Sequence, residues 1–472
     1  MKKIFLGFAV PFYFVCTTLA QDTATFNLQQ CIDYALKNNT NVKNAQFDEY
    51  IAKAQAKEVR GIGLPQVNAS ATVIDNPNLK KMFIPFQQGD TTNFLGLPPT
   101  LPTDVYVFNN FFQTRNSGDI NLTANQLLLS GSYIVGLQAA KGVADLMKTN
   151  TTLTKVQTVE NVTKAYYLVL INKERVNVFD ANLTRLDSAR KQTKALYEQG
   201  FVEKIDADRM DVAYNNLFTE RQKFIQMLQL STLLLKFHMG YDVNKNLQIA
   251  GDIKNYTPTL ITTSRDTGMY KNRAEYKLLQ KQYALEKLNM KNKYMEGTPT
   301  LALFGTLGYI RSTNSLGALF KRSPDLPFDG GGRIFKNNWY YYDFWGISLN
   351  VPLLSGLSRT YKIQQSKINL KKIQNNIDNF KQASDMEVIQ AEVNMKNAQL
   401  NLESHKKNVE LAKEVARLSK IKYEQGVGSN LEVVDAESSY KEAQTNYYDA
   451  LYQLIISEID YKKATGTLYN EQ

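Results

Sequence analysis

The sequence is poor in the residues that most often carry chemistry. It has two cysteines and two histidines in 472 residues. It contains no Cys-x-x-Cys, His-Glu-x-x-His, Gly-x-Ser-x-Gly or phosphate-loop motif, which removes the common routes to redox, zinc, acyl-transfer and nucleotide chemistry. His238 and His405 fall in helix-like segments away from any acidic motif. No catalytic residue, metal site or cofactor is expected.

Long apolar runs are also missing, with one exception. The N-terminus, MKKIFLGFAVPFYFVCTTLAQ, has basic Lys2 and Lys3, an apolar stretch Ile4–Val15 and small Ala20. Residues 1–20 therefore read as a secretory signal peptide. A lipid anchor would use Cys16, but bulky Val15 precedes it where a small residue is wanted. Without the signal peptide only Cys31 remains, so no intramolecular disulfide can form and packing or assembly must stabilise the exported chain. No other stretch approaches the roughly 18 uninterrupted apolar residues of a membrane helix, so entry into a membrane would require a β-barrel. The net charge is +11, but the lysines alternate with acids, as in KKNVELAKEVARLSK. That pattern describes solvated helix faces, not a nucleic-acid surface.

Glycine and proline are absent over long stretches. Leu357–Gln425 has neither. At 1.5 Å per residue it makes a rod of about 100 Å, the length of a coiled coil. Its amphipathic faces include Leu411, Val415 and Leu418. Val143–Gln199 is nearly as long.

What is present is present twice. YEQG occurs at Tyr197–Gly200 and at Tyr423–Gly426, 226 positions apart. Pro65 matches Pro299 at an offset of 234, and Leu128–Gly131 matches Leu353–Gly356, both LLSG, at 225. Ordered matches at near-constant offset mark an internal duplication. The first repeat spans residues 21–241 and the second 264–472, with a linker at 242–263.

Each repeat has two stretches of alternating polarity between its proline and its LLSG, at about 66–73 and 119–128, and at about 300–309 and 342–351. Val67, Ala69, Ala71 and Val73 alternate with Gln66, Asn68, Ser70 and Thr72. This is a sheet with one apolar and one polar face, as in a half-buried sandwich or a membrane barrel. The loops between the strands, about Ile74–Gly118 and Ile310–Tyr340, read as long and irregular; the second includes the DGGGR run, Asp329–Arg333. Trp339, Tyr340, Tyr341, Tyr342 and Trp345 abut an alternating strand, which favours an aromatic girdle at a membrane interface over an aromatic core patch.

The remaining helical segments, Phe26–Arg60, Glu203–Met239, Ser264–Glu296 and Leu431–Thr465, are each about half a rod long. Two unbroken helices would run away from the strands, turn at YEQG and return as stacked half-length helices. The linker would form a belt at mid-height. Four strands cannot close a membrane barrel, whose minimum is about 8. Three copies would give twelve strands, continued by an α-helical barrel.

This layout resembles the TolC-like outer-membrane efflux and secretion channels. The most specific stretches are YEQGVGSNLEVVDAESSYKEAQTNYYDAL, its partner YEQGFVEKIDADRMDVAYNNL, and ATGTL at Ala464–Leu468. The resemblance implies a homotrimer in the outer membrane, mainly α with a membrane β-barrel, that extends into the periplasm. It also implies a periplasmic adaptor, an inner-membrane RND or ABC transporter, and contact with outer-membrane lipid. In the family the tunnel is shut at the hairpin tips by polar links. Tyr423 matches the gate tyrosine and Asp206 its aspartate partner. The supporting arginine would fall at Gly428, which cannot make a charged contact. Glu432 and Asp435 match the acids of the narrowest point; as plain helix N-terminal charges they would also complement the dipole. Gly200, Gly426 and Gly428 would form the tip turns at which the adaptor docks. The alternative is a coiled-coil surface scaffold or adhesin, which would need neither the strands nor the paired glycine tips.

Overall fold

The structure, a computed structural model, describes residues 24–85, 105–110, 112–258, 268–321 and 338–469. The expected signal peptide and DGGGR lie outside the described residues. In chain order the elements are β1 (Ala24–Phe26), α1 (Leu28–Asn38), α2 (Thr40–Ile62), β2 (Gln66–Asp75), β3 (Lys81–Pro85), β4 (Val105–Asn109), β5 (Asn116–Ser130), α3 (Gly131–Glu198), α4 (Lys204–Met239), β6 (Leu247–Ile249), α5 (Ala274–Met295), β7 (Thr300–Thr313), β8 (Tyr340–Asn350), α6 (Ser358–Glu424) and α7 (Asn430–Ala464). The long rods α3 and α6 have 68 and 67 residues. Among the described residues, no helix is long and apolar enough to cross a membrane. Two compact units share these elements: Met1–Ile51, Ala144–Tyr283 and Lys371–Gln472 form one, Ala52–Val143 and Ala284–Leu370 the other.

The second unit holds a four-stranded antiparallel sheet in the order β2-β5-β7-β8. The two repeats meet at the central β5–β7 pair, and β2 and β8 are open edges. Register fixes the faces. Leu122 pairs with Ala69 and Leu307, and Leu303 with Ile347, on the apolar face. Thr123 pairs with Asn68 and Thr306, and Asn121 with Ser70 and Gly308, on the polar face. Val67, Leu122, Leu303, Leu307, Ile347 and Leu349 are all exposed. A sheet whose apolar face is left uncovered by the described residues needs lipid or another surface there.

The expected irregular loops contain more order than their prolines indicate. β3 and β4 pair as a hairpin within the first. In the second, β7 runs on to Thr313 and a 3-10 turn follows at Leu316–Phe320.

The first unit is helical. Its main core gathers α1, α3, α4 and α7 around Cys31, Ala35, Val162, Tyr166, Leu170, Leu235, Met239, Leu451 and Ile455. Burying a side chain such as Ile455 contributes about 1.5–3 kcal/mol. The three-residue strands β1 and β6 pair in parallel beside it. The N-terminal helical segment is broken at Asn39, with no glycine or proline to signal it. The Asn39 amide donates to the His238 carbonyl at 2.7 Å, and its oxygen accepts the Asn41 N–H at 2.8 Å. An asparagine can thus cap a new helix while bonding to another.

A smaller core lies toward the YEQG turns. It contains Phe179, Leu186, Met210, Leu217 and Val433, with Tyr423 packed against it. Phe179 and Phe224 stack with centroids 4.7 Å apart.

Candidate functional site

The two YEQG segments end α3 and α6 in the same way. The Gly200 N–H bonds to the Tyr197 carbonyl and the Phe201 N–H to the Leu196 carbonyl, both at 2.9 Å. Gly426 bonds to Tyr423 and Val427 to Lys422, both at 3.0 Å. This is a left-handed helix cap, which satisfies carbonyls that the helix leaves unpaired. Gly200 and Gly426 have φ of +77° and +75°, and the space beside them is open. Their requirement is conformational, not steric. Gly428 is the reverse case. Its φ is ordinary, but a Cβ there would lie 2.9 Å from the Lys422 Cβ and 3.0 Å from the Tyr423 nitrogen.

Beyond the second turn, Ser429 caps α7 by accepting the Glu432 N–H at 3.2 Å. Val433 and Ala436 are buried, which leaves Glu432 and Asp435 on the exposed side of the same helix. The structure therefore places both acids where they face away from their own chain's core.

Tyr423 and Asp206 are not bonded to each other within the chain, among the described contacts. The Tyr423 hydroxyl lies 3.2 Å from Thr193 Oγ1. The Asp206 carboxylate lies 3.7 Å from Arg209, and its backbone carbonyl accepts from Asn430 at 2.9 Å. The YEQG copies differ here: Tyr197 is 40% exposed, whereas Tyr423 packs against the small core.

A series of polar links joins the hairpins along their length. Between α3 and α7, Lys164 meets Asp460 at 2.6 Å, Arg175 meets Asp449, Asn182 donates to Gln444 at 3.1 Å, and Arg185 meets Glu437 at 3.4 Å. Arg185 also lies over the Tyr440 ring at 5.1 Å. Between α4 and α7, Lys441 meets Glu220 at 2.9 Å. Within the first hairpin, Arg221 meets Asp180, and Arg190 sits 4.1 Å over the Tyr214 ring. Sequence reasoning missed these links, because interspersed charges on a helix look like a solvated face until the neighbouring helix is known. Beside them an apolar groove, lined by Leu186, Ile205, Val212, Leu217, Leu431 and Val434, opens near the turns.

Strand register divides the aromatic run at Trp339–Trp345. Tyr341 pairs with Tyr309 and Trp345 with Gly305 on the apolar face. The Tyr309 and Tyr341 rings meet edge to face at 5.6 Å. Tyr340 and Tyr342 point to the polar face, because adjacent strand residues alternate. The Trp339 indole donates to the Leu319 carbonyl at 3.2 Å.

Residues 298–467 match the family described as outer membrane efflux protein. No curated protein matches the sequence. Among solved structures, the chain is similar to the CmeC outer membrane channel of Campylobacter jejuni, at 17% identity over 94% of this chain and 86% of that one, with a TM-score of 0.70. It is similar to the MtrE outer membrane channel of Neisseria gonorrhoeae in its open state, at 17% identity over 93% and 88%, with a TM-score of 0.67. It is also similar to the outer membrane protein VceC of Vibrio cholerae, at 14% identity over 93% and 96%, with a TM-score of 0.65. The fold is that of the outer membrane channels, and the second repeat matches the efflux family directly.

Proposed function

We propose that this chain, which has the fold of the outer membrane channels, is one protomer of a trimeric channel-tunnel. It would conduct small molecules or proteins from the periplasm across the outer membrane. One observation carries the reading: a four-stranded sheet with an exposed apolar face, a polar opposite face and two unpaired edges. In a bilayer an open edge leaves backbone groups unsatisfied, so β8 of one copy would pair with β2 of the next until twelve strands close. The polar faces would then line a watery pore, and Tyr341, Tyr309 and Trp345 would form the outer aromatic girdle.

The helical rods would continue the pore through the periplasm. Leu230, Leu233 and Phe237 on α4, and Val393, Leu400 and Leu411 on α6, are apolar and exposed. They would pack between copies. The exposed Phe201 and Val427 at the glycine turns, with the apolar groove near them, would receive a periplasmic adaptor coupled to an inner-membrane RND or ABC transporter, in a tripartite pump or a type I secretion system. The turns themselves would be the gate. Tyr423 and its hydroxyl partner would hold the closed state, and Glu432 and Asp435 would ring the constriction. No step requires an enzyme activity.

The test is the purified protein in detergent and in planar bilayers. A heat-modifiable trimer that forms cation-preferring channels is expected. A water-soluble monomer without conductance would overturn the proposal and favour the scaffold reading.

A further inference from the structure

The polar face of the sheet is not uniformly polar. Gln66, Asn68, Ser70, Thr72, Asn121, Thr123 and Asn125 give way on β7 and β8 to Phe304, Tyr342 and Phe344. Phe304 and Phe344 lie 6.4 Å apart at 65°, and Tyr342 stacks on Phe344 at 6.4 Å and 17°. Phe344 is 52% exposed. Aromatic rings on a sheet face otherwise built for water call for a reason.

Two glycines seat the rings. A Cβ at Gly346 would lie 2.9 Å from the Phe304 ring tip, and one at Gly308 would lie 2.7 Å from the Ile120 carbonyl oxygen. Gly308 sits between Tyr342 and Asn121 in register, so Tyr342 reaches across β7 and donates to Asp119 on β5 at 2.8 Å. Asn121 also donates to Asp119. The carboxylate is thus fixed beside the rings. No lysine or arginine occupies this face of the four described strands.

We propose that Phe304, Tyr342 and Phe344, with Asp119, form a subsite for organic cations that carry an apolar body, such as quaternary ammonium or protonated-amine compounds. The proposal rests on the reading that this face lines the pore. Ring faces attract a cation within about 6 Å, the exposed ring surface covers the apolar body, and the unopposed carboxylate adds attraction. A small inorganic cation has no apolar body to cover and must shed bound water to reach the rings, so it gains mainly from the carboxylate. Three copies around a pore would give three such stations.

The experiment compares block of the purified channel in planar bilayers by benzyltrimethylammonium and by tetramethylammonium. Both are quaternary ammonium ions of one charge, so acids and ring faces attract both, and the ratio of block constants reports contact between the rings and the apolar body. Benzyltrimethylammonium should block more strongly in the wild type. Phe344→Leu and Phe304→Leu should each lower the ratio by about two- to ten-fold, because the benzyl group loses a ring partner. Asp119→Asn should weaken block by both ions and leave the ratio nearly unchanged. A wild-type ratio of one, or a ratio unmoved by both leucine variants, overturns the subsite while leaving the channel intact. A wild-type protein that forms no channels overturns the pore reading and the subsite with it. If either leucine variant does not assemble, the other variant and the wild-type ratio decide.

Discussion

The hydroxyl groups of Thr193 and Tyr423 lie 3.2 Å apart and join α3 to α6 just before the rods reach their glycine caps, about two turns from Gly200 and one from Gly426. Thr193 is fully buried. A hydrogen bond of this kind contributes about 0.5–1.5 kcal/mol, and losing one partner strands the other. If the tips gate the tunnel, Tyr423→Phe and Thr193→Val should each raise single-channel conductance, and the double variant should be little different from either. Asp206→Ala should add to Tyr423→Phe, because Asp206 bonds elsewhere in the chain. Coupling of Tyr423 to Asp206 and not to Thr193 would locate the lock between hairpins in a way the single chain does not display. Tyr197→Phe, at the exposed copy of the motif, should leave conductance at the wild-type value.

Glu432 and Asp435 sit on the outward side of α7, away from Val433 and Ala436. Three copies would bring six carboxylates to one ring, which attracts cations and repels anions. Glu432→Ala with Asp435→Ala should lower the cation-to-anion permeability ratio and relieve block by divalent cations. An unchanged ratio would remove both residues from the pore lining.

The glycines of the turns should separate by substitution. At Gly200 and Gly426 the strain is in φ, so alanine should destabilise by about 1–2 kcal/mol and asparagine by less. At Gly428 a side chain meets Lys422 and the Tyr423 backbone, so asparagine should be no better than alanine. Thermal melting of the six purified variants is the measurement. Equal tolerance of asparagine at Gly426 and Gly428 would contradict the distinction.

Glu160 gives the helical unit an acid-sensitive link. Burial pushes its carboxyl up, but hydrogen bonds from Lys164 and Lys463, with their charge, outweigh burial and hold it below the ordinary glutamate range. A carboxyl lowered in the folded state stabilises above its unfolded value, about 4.3, and that contribution is lost as pH falls through the folded value. The melting temperature of Glu160→Gln should therefore fall below wild type at pH 7, and the gap should close as pH falls through the folded value, below the ordinary glutamate range. A gap that persists in acid would mean that Glu160 acts by packing alone.

Leu349 is exposed on the apolar face, eight positions along β8 from Tyr341. Near the membrane midplane, Leu349→Arg should cost about 2–4 kcal/mol and reduce the yield and heat stability of the trimer. Unimpaired assembly would show that this face does not meet lipid.

The sequence by itself determined the periodicities. Alternation from Gln66 to Val73 committed β2 to one apolar and one polar face, because strand side chains alternate whatever lies beside them. Freedom from glycine and proline between Ser358 and Glu424 committed α6 to one rod, and the αL requirement placed the turns at Gly200 and Gly426. These are local properties, set by each segment's own backbone. The tertiary structure decided whatever depends on a neighbour. Asn39 breaks a helix because His238 offers it a carbonyl. Tyr342 reaches Asp119 across β7 because register sets only Gly308 beside it there. Tyr423 bonds to Thr193 because α3 and α6 lie side by side at that height, a pairing across 230 residues that no local pattern encodes. The ladder from Lys164–Asp460 to Arg185–Glu437 was hidden for the same reason: a charge on a helix becomes a link only when packing brings its partner within reach.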